Sequence, residues 1–129
     1  MSTADDLVAA RRFAVVSGIL TAGFGVPLFL DPFRWAGWFR WPKERETNVG
    51  KYFGRCLGAV ALGGTASAVQ AARDPDRHRA HFRWLEAGSW LLAAVHVRGA
   101  VERSQPAIET GEIFGWAALA LAARRYAPK

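Results

Sequence analysis

The feature that most constrains this chain is a run of 18 residues without a charged side chain, from Phe13 to Leu30. Three more apolar segments follow, at about 52–72, 84–101 and 108–123. A helix of about 20 residues crosses the hydrocarbon core of a bilayer, which is about 30 Å thick. The first segment has no polar face, which the surface helix of a water-soluble protein would need. We therefore predict that this segment crosses a membrane.

The rest of the chain fits the same kind of fold. A chain of 129 residues forms one domain, and 51% hydrophobic residues together with 13 glycines favour closely packed helices over strands. We predict an all-α, four-transmembrane-helix bundle comprising residues 1–129, with spans at about 12–30, 52–72, 83–102 and 107–125. Asp74, followed by Pro75 and Asp76, is typical of a helix start, so the third helix is predicted to begin there.

The connection between the first two spans reads DPFRWAGWFRWPKERE and alternates aromatic with basic residues. At helical spacing, Trp35, Trp38 and Phe39 share one face, whereas Arg34 and Arg40 alternate with the aromatic residues along the chain. This pattern predicts an interfacial amphipathic segment between helices 1 and 2, with its rings in the headgroup layer. Ligand binding by the rings is the alternative.

The basic residues are distributed as topology signals. The chain carries 17 Lys and Arg and a net charge of +6, but these residues lie between apolar segments and form no single stripe, so a nucleic-acid partner is not expected. Nine of them fall at the N-terminus, the second connection and the C-terminus, against six on the opposite side. We predict a multi-pass protein of the bacterial inner (plasma) membrane with both termini in the cytoplasm.

Small residues recur at a spacing of four. Gly54 and Gly58 open the second span, and Gly111 and Gly115 open the fourth. Such pairs let helix backbones approach closely in a membrane. The contacts they serve are either within the bundle or between copies of the chain, and we favour the former.

Ionisable residues interrupt the last three spans. If the chain crosses the membrane alternately, most of them fall in one outer layer, and Glu86 lies apart near the inner surface. A polar cleft among the second, third and fourth spans is therefore predicted. The outer-layer residues are Arg55, His96, Arg98, Glu102, Glu109 and Glu112.

Two interpretations of these residues stay open. In the first they form a structural ion-pair network, with Arg55 paired to Glu109 or Glu112 and Arg98 paired to Glu102. In the second, His96 is a catalytic acid or base with Glu112 or Glu109 as its proton partner. The predicted ligand-binding residues are then Arg55, Glu86, Arg98 and Glu102.

No metal or cofactor motif accompanies them. A Glu-x-x-His pair is absent, His78 and His81 are expected to be solvated in the arginine-rich connection, and the single Cys56 cannot hold a metal alone. No metal is predicted, and the cofactor is left unknown.

The segments LFLDPFRWAGWF and YFGRCLGAVALGG resemble those of small four-helix DoxX-like membrane proteins. The resemblance implies a four-helix integral membrane protein, of a family sometimes associated with quinone or sulfur redox systems. Within it, Arg55 and Gly58 carry over by position.

These observations predict a membrane protein whose cleft binds a lipophilic small molecule, such as a quinone, or a membrane partner. One alternative is an isomerase or cyclase that transfers protons through His96 and Glu112. Another is a non-catalytic subunit of a larger membrane complex, and a third is a soluble helical protein with an apolar core. Whether the chain is an enzyme, and whether it forms homo-oligomers, stays open.

Overall fold

The computed structural model describes residues 2–43 and 46–129, and these contain five helices and no strand. The predicted all-helical fold is confirmed. Four long helices contain the four apolar segments of the sequence, and a short helix lies in the aromatic connection. The helices are α1 (Ala4–Leu30), α2 (Pro32–Trp38), α3 (Asn48–Arg73), α4 (Arg79–Val101) and α5 (Ala107–Tyr126).

Local caps define the first two helices. At the start of α1, the Asp6 amide donates to the Thr3 hydroxyl at 3.2 Å, and the Thr3 amide donates to the Asp6 carboxylate at 3.0 Å. These bonds satisfy two amides that the helix itself leaves unpaired. At the start of α2, Asp31 accepts from the Arg34 amide at 3.2 Å, with Pro32 in the first turn.

The predicted start of the third long helix is wrong. Asp74 terminates α3, where its amide donates to the Gln70 carbonyl at 3.1 Å, and α4 begins only at Arg79. The Asp74 carboxylate accepts from the Arg77 amide at 3.2 Å and so stabilises the intervening turn. A residue before proline is displaced from the helical region, which explains why α3 ends at this Asp-Pro pair.

The long helices form two tightly packed pairs, α1 with α3 and α4 with α5, which touch each other much less. Small residues bring α1 and α3 together. A Cβ added at Gly18 would lie 3.1 Å from the Ala68 Cβ, and one at Gly58 would lie 2.5 Å from the Phe29 backbone nitrogen. The predicted packing role within the bundle is confirmed for Gly58.

The glycines of α5 behave differently. A Cβ added at Gly111 or Gly115 would have nothing within 4 Å. Their predicted role in packing within the bundle is therefore wrong. The reason is that α4 packs on another face of α5, which buries Glu109, Ala120 and Ala123.

The aromatic connection divides its rings between two environments. Trp35 packs on Phe39 with ring centroids 4.6 Å apart, and it meets Phe24 of α1 edge-on at 5.1 Å. Trp38 instead is exposed. The three rings predicted to share one face are therefore split, because Phe24 of α1 provides an inner contact for Trp35.

Large apolar residues lie mainly on the outside. The buried apolar residues are mostly alanines, with Leu28, Phe82 and Leu85 as the larger ones, whereas Ile19, Phe53, Leu91, Phe114 and many similar side chains are exposed. Among the described helices, α1 is the one that is long enough and contains an 18-residue stretch apolar enough, with a mean hydropathy of 2.0, to cross a membrane.

Candidate functional site

Three ionisable side chains converge where α4 meets α5. His96 of α4 points one ring nitrogen to each of two carboxylates: Nδ1 lies 3.6 Å from Glu109 Oε2, and Nε2 lies 3.6 Å from Glu112 Oε2. These are the three residues predicted to be catalytic, and the structure brings them together. We call them the His-Glu cluster.

The turn between α4 and α5 produces this arrangement. A connection of only five residues, 102–106, folds α5 back along α4, so that the end of one helix faces the start of the other. Glu109 and Glu112 are three residues apart and therefore share a face of α5. Gln105 secures the turn, since its side-chain amide donates to the His96 carbonyl at 3.0 Å and to Thr110 Oγ1 at 3.3 Å.

A glycine leaves the space that Gln105 occupies. A Cβ on the buried Gly99 would overlap the Gln105 amide. The chain then reverses at Arg103, which has a φ of 51°. Its amide bonds to Ala100 O and the Ser104 amide to Gly99 O, a helix ending that usually has glycine at the position of Arg103.

Two tryptophans that were not predicted as site residues bind the carboxylates. The indole N–H of Trp41 donates to Glu109 Oε1 at 2.7 Å, and that of Trp116 donates to Glu112 Oε2 at 3.1 Å. Trp116 lies four residues after Glu112 on α5, so helical spacing offered a signal for this pair. No sequence signal links Trp41 to Glu109, because 68 residues separate them.

The carboxylates lack a permanent positive partner. The Glu109 side chain is 5% exposed and that of His96 12%. Among the described residues, no Lys or Arg side chain forms an ion pair with Glu109 or Glu112, and His96 Nδ1 is buried without a hydrogen-bond partner. Buried like charges are unfavourable unless a proton or a cation compensates them.

The predicted ligand-binding residues lie away from this cluster. Arg98 pairs with Glu102 at 2.8 Å, as the structural interpretation expected, but both are exposed, with the Arg98 side chain at 80%. Glu86 is partly buried and forms no ion pair in the described part of the chain.

The predicted ion pair of Arg55 with Glu109 or Glu112 is wrong. Arg55 is exposed on α3, and the ion pairs among residues 2–43 and 46–129 do not include it. The physical reason is that the small-residue face of α3 packs on α1, so α3 makes few contacts with α4 and fewer still with α5.

An apolar cavity of about 290 Å³ lies between the two helix pairs. All four long helices line it, and Ser89 contributes a hydroxyl that is buried without a hydrogen-bond partner. Trp116 also lines the cavity while donating to Glu112, so the cavity adjoins the His-Glu cluster. Other lining residues are Leu20, Phe24, Val60 and Leu92.

The second histidine site differs from the prediction. His81 is buried, not solvated, with its ring nitrogens 3.2 Å from the hydroxyls of Ser17 and Ser67. It lies just before the predicted third span, where burial lowers the pKa of its imidazole below the ordinary value of 6.5. His81 therefore serves the packing of α4 against α1 and α3.

Comparison of the chain with protein-family models, with curated proteins and with solved structures finds no match. The similarity to DoxX-like proteins stays a prediction.

Proposed function

We propose that this protein is a four-span membrane bundle that binds a lipophilic small molecule between its helix pairs, with the polar group of that molecule beside the His-Glu cluster. The observation that carries the proposal is the position of Trp116. Its ring lines the apolar cavity, and its N–H holds Glu112. One molecule in the cavity would therefore contact an apolar wall and the tryptophan that binds the Glu112 carboxylate.

The distribution of side chains supports a bilayer as the surroundings. In water, large apolar side chains are buried, whereas helices in lipid pack through small residues and expose large apolar ones. Here alanine and glycine fill the helix contacts, and the outer faces carry residues such as Phe53 and Phe114. The helices α3, α4 and α5 have a lower hydropathy than α1 because ionisable residues such as Arg55, Glu86 and Glu112 interrupt them.

The chain ends support an even number of crossings. The Ser2 hydroxyl accepts from the Lys129 amide at 2.9 Å, so the two termini meet at one end of the bundle. Four spans place both termini on one side, and the distribution of Lys and Arg favours the cytoplasm of a bacterial inner membrane.

The cavity indicates the class of ligand. A volume of about 290 Å³ is at the lower end for small-molecule pockets, and its lining is almost entirely apolar. The unpaired Ser89 hydroxyl offers one hydrogen bond within it. A lipophilic molecule with a carbonyl or hydroxyl group, such as a small quinone, fits this combination.

Proton transfer is the second candidate function. His96 lies 3.6 Å from each of two carboxylates, so one imidazole could exchange a proton with either. An isomerase or cyclase acting on the bound molecule would use this arrangement. Loss of turnover in Glu112→Gln with retained ligand binding would favour this candidate over simple binding.

Filling the cavity tests the proposed binding. Gly88 lines the cavity and has open space at its Cβ, so Gly88→Leu would occupy the cavity. Gly115→Leu is the matched control, because Gly115 also has open space but lies outside the cavity lining. The probe is a short-chain benzoquinone, detected by quenching of tryptophan fluorescence in detergent micelles.

We expect saturable quenching of the unaltered protein, at least tenfold weaker binding in Gly88→Leu, and no change in Gly115→Leu. Equal, unsaturable quenching in all three proteins would contradict the binding proposal. Membrane insertion is tested separately, by whether the protein stays in the membrane pellet after a carbonate wash.

A further inference from the structure

We propose that His96, Glu109 and Glu112 bind one divalent transition-metal ion. This inference goes beyond the proposed function, because it requires no lipophilic ligand. One ligand atom from each of the three residues can be chosen so that all lie within 4.8 Å of one another. In the described part of the chain, no other group of three His, Cys, Asp or Glu side chains meets this condition.

The distances suit an ion after small side-chain movements. Metal-ligand bonds to imidazole nitrogen and carboxylate oxygen are about 2.0–2.2 Å, so two ligands of one ion lie roughly 3 to 4 Å apart. His96 Nδ1 lies 3.6 Å from Glu109 Oε2, a separation that is too long for a good hydrogen bond but fits two atoms that share an ion. Glu112 faces the other ring nitrogen, Nε2, at 3.6 Å, so its carboxylate must turn toward the ion bound at Nδ1.

The charge balance points the same way. Two carboxylates, one of them almost fully buried, face an imidazole and no Lys or Arg within 4.0 Å among the described residues. Protonation of His96 would supply one positive charge against two negative ones. A divalent cation would neutralise both carboxylates and leave His96 neutral, which is the form that ligates metals.

The surrounding hydrogen bonds orient the ligands. Trp41 holds Glu109 through Oε1, which leaves Oε2 directed to His96. Trp116 holds Glu112 through Oε2, the oxygen that faces His96 Nε2, and Gln105 binds the His96 backbone carbonyl. Fixed ligand orientation of this kind raises metal affinity. Use of His96 Nδ1 as the metal ligand would explain why this buried nitrogen has no hydrogen-bond partner.

The donor set selects the class of ion. One imidazole and two carboxylates suit Zn²⁺, Mn²⁺ or Fe²⁺, whereas Mg²⁺ and Ca²⁺ prefer oxygen ligands alone. Three protein ligands leave at least one coordination position open, as in sites that bind a substrate or water.

The test is a titration of the detergent-purified, chelator-treated full chain with Zn²⁺, without any organic ligand, followed by calorimetry. We expect one ion per chain, with binding at least tenfold weaker in His96→Gln and in Glu109→Gln. Glu102→Gln is the matched carboxylate control and His78→Gln the histidine control, and both should bind as the unaltered protein does.

A second measurement covers the case in which a site variant fails to fold. X-ray absorption of the Zn²⁺-loaded unaltered protein should show one imidazole with oxygen ligands. Two imidazoles, binding lost in His78→Gln, or no stoichiometric binding would each overturn the metal site. Gly88→Leu should still bind Zn²⁺, so failure of ligand binding in the cavity and failure of metal binding are separately visible.

Discussion

The contact between α1 and α3 provides the sharpest test of the packing. A Cβ at Gly58 would lie 2.5 Å from the Phe29 backbone nitrogen, 2.8 Å from its Cα and 2.9 Å from the Gly25 carbonyl oxygen. All three are backbone atoms, so no side-chain rotation can relieve the overlap. Favourable contacts between heavy atoms need about 3.5 Å, so Gly58→Ala would separate the helices by about 1 Å.

The expected cost follows from two opposing effects. Overpacking a tight contact destabilises a protein by about 1–3 kcal/mol, and rigid backbone neighbours place this position near the upper end. Replacing a helical glycine with alanine returns about 1 kcal/mol through helix propensity. Gly58→Ala should therefore lower the free energy of unfolding by about 2 kcal/mol.

Gly63→Ala is the matched control on the same helix. A Cβ at Gly63 would have nothing within 4 Å, so only the propensity gain applies, and stability should rise by about 1 kcal/mol. The assay is denaturant unfolding of both variants in the same detergent, followed by far-ultraviolet circular dichroism. If Gly58→Ala is as stable as Gly63→Ala, the close approach of α1 and α3 is refuted.

Three further predictions concern other positions. Arg103→Gly should raise the free energy of unfolding by about 1 kcal/mol in the same assay, because glycine adopts the left-handed conformation of Arg103 without a Cβ penalty; an unchanged or lower stability would contradict the assigned helix ending. Trp41→Phe should lower stability by about 1–3 kcal/mol, since it removes a hydrogen bond to the buried Glu109, and a neutral outcome would show that the bond is unimportant. Stability should fall as the pH drops below about 6.5, because burial lowers the pKa of His81 in the folded protein. The unfolded chain then binds a proton at His81 that the folded protein does not bind, and this favours unfolding. The loss of stability levels off once the pH is below the pKa of His81 in the folded protein. Thermal unfolding measured from pH 7.5 to 5 should show a weaker loss of stability in His81→Gln than in the unaltered protein.

Local sequence signals were sufficient for the helices and for the core of the site. The apolar segments predicted all four long helices, because helix formation depends on neighbouring residues. The His-Glu cluster was also predictable, since a connection of five residues forces the end of α4 against the start of α5. Within that hairpin, the spacing of Glu109 and Glu112 already placed them on one face.

Only the tertiary structure decided which other residues join them. Arg55 was predicted in the cluster from its depth along α3, but the glycines of α3 pair that helix with α1 and leave Arg55 exposed. Trp41 reaches Glu109 across 68 residues, and His81 is buried by serines from two other helices. The position of a residue along its helix and the spacing of residues in the sequence describe one helix at a time. The contacts of Arg55, Trp41 and His81 depend instead on which helices pack together, and the small residues at the helix interfaces determine that pairing.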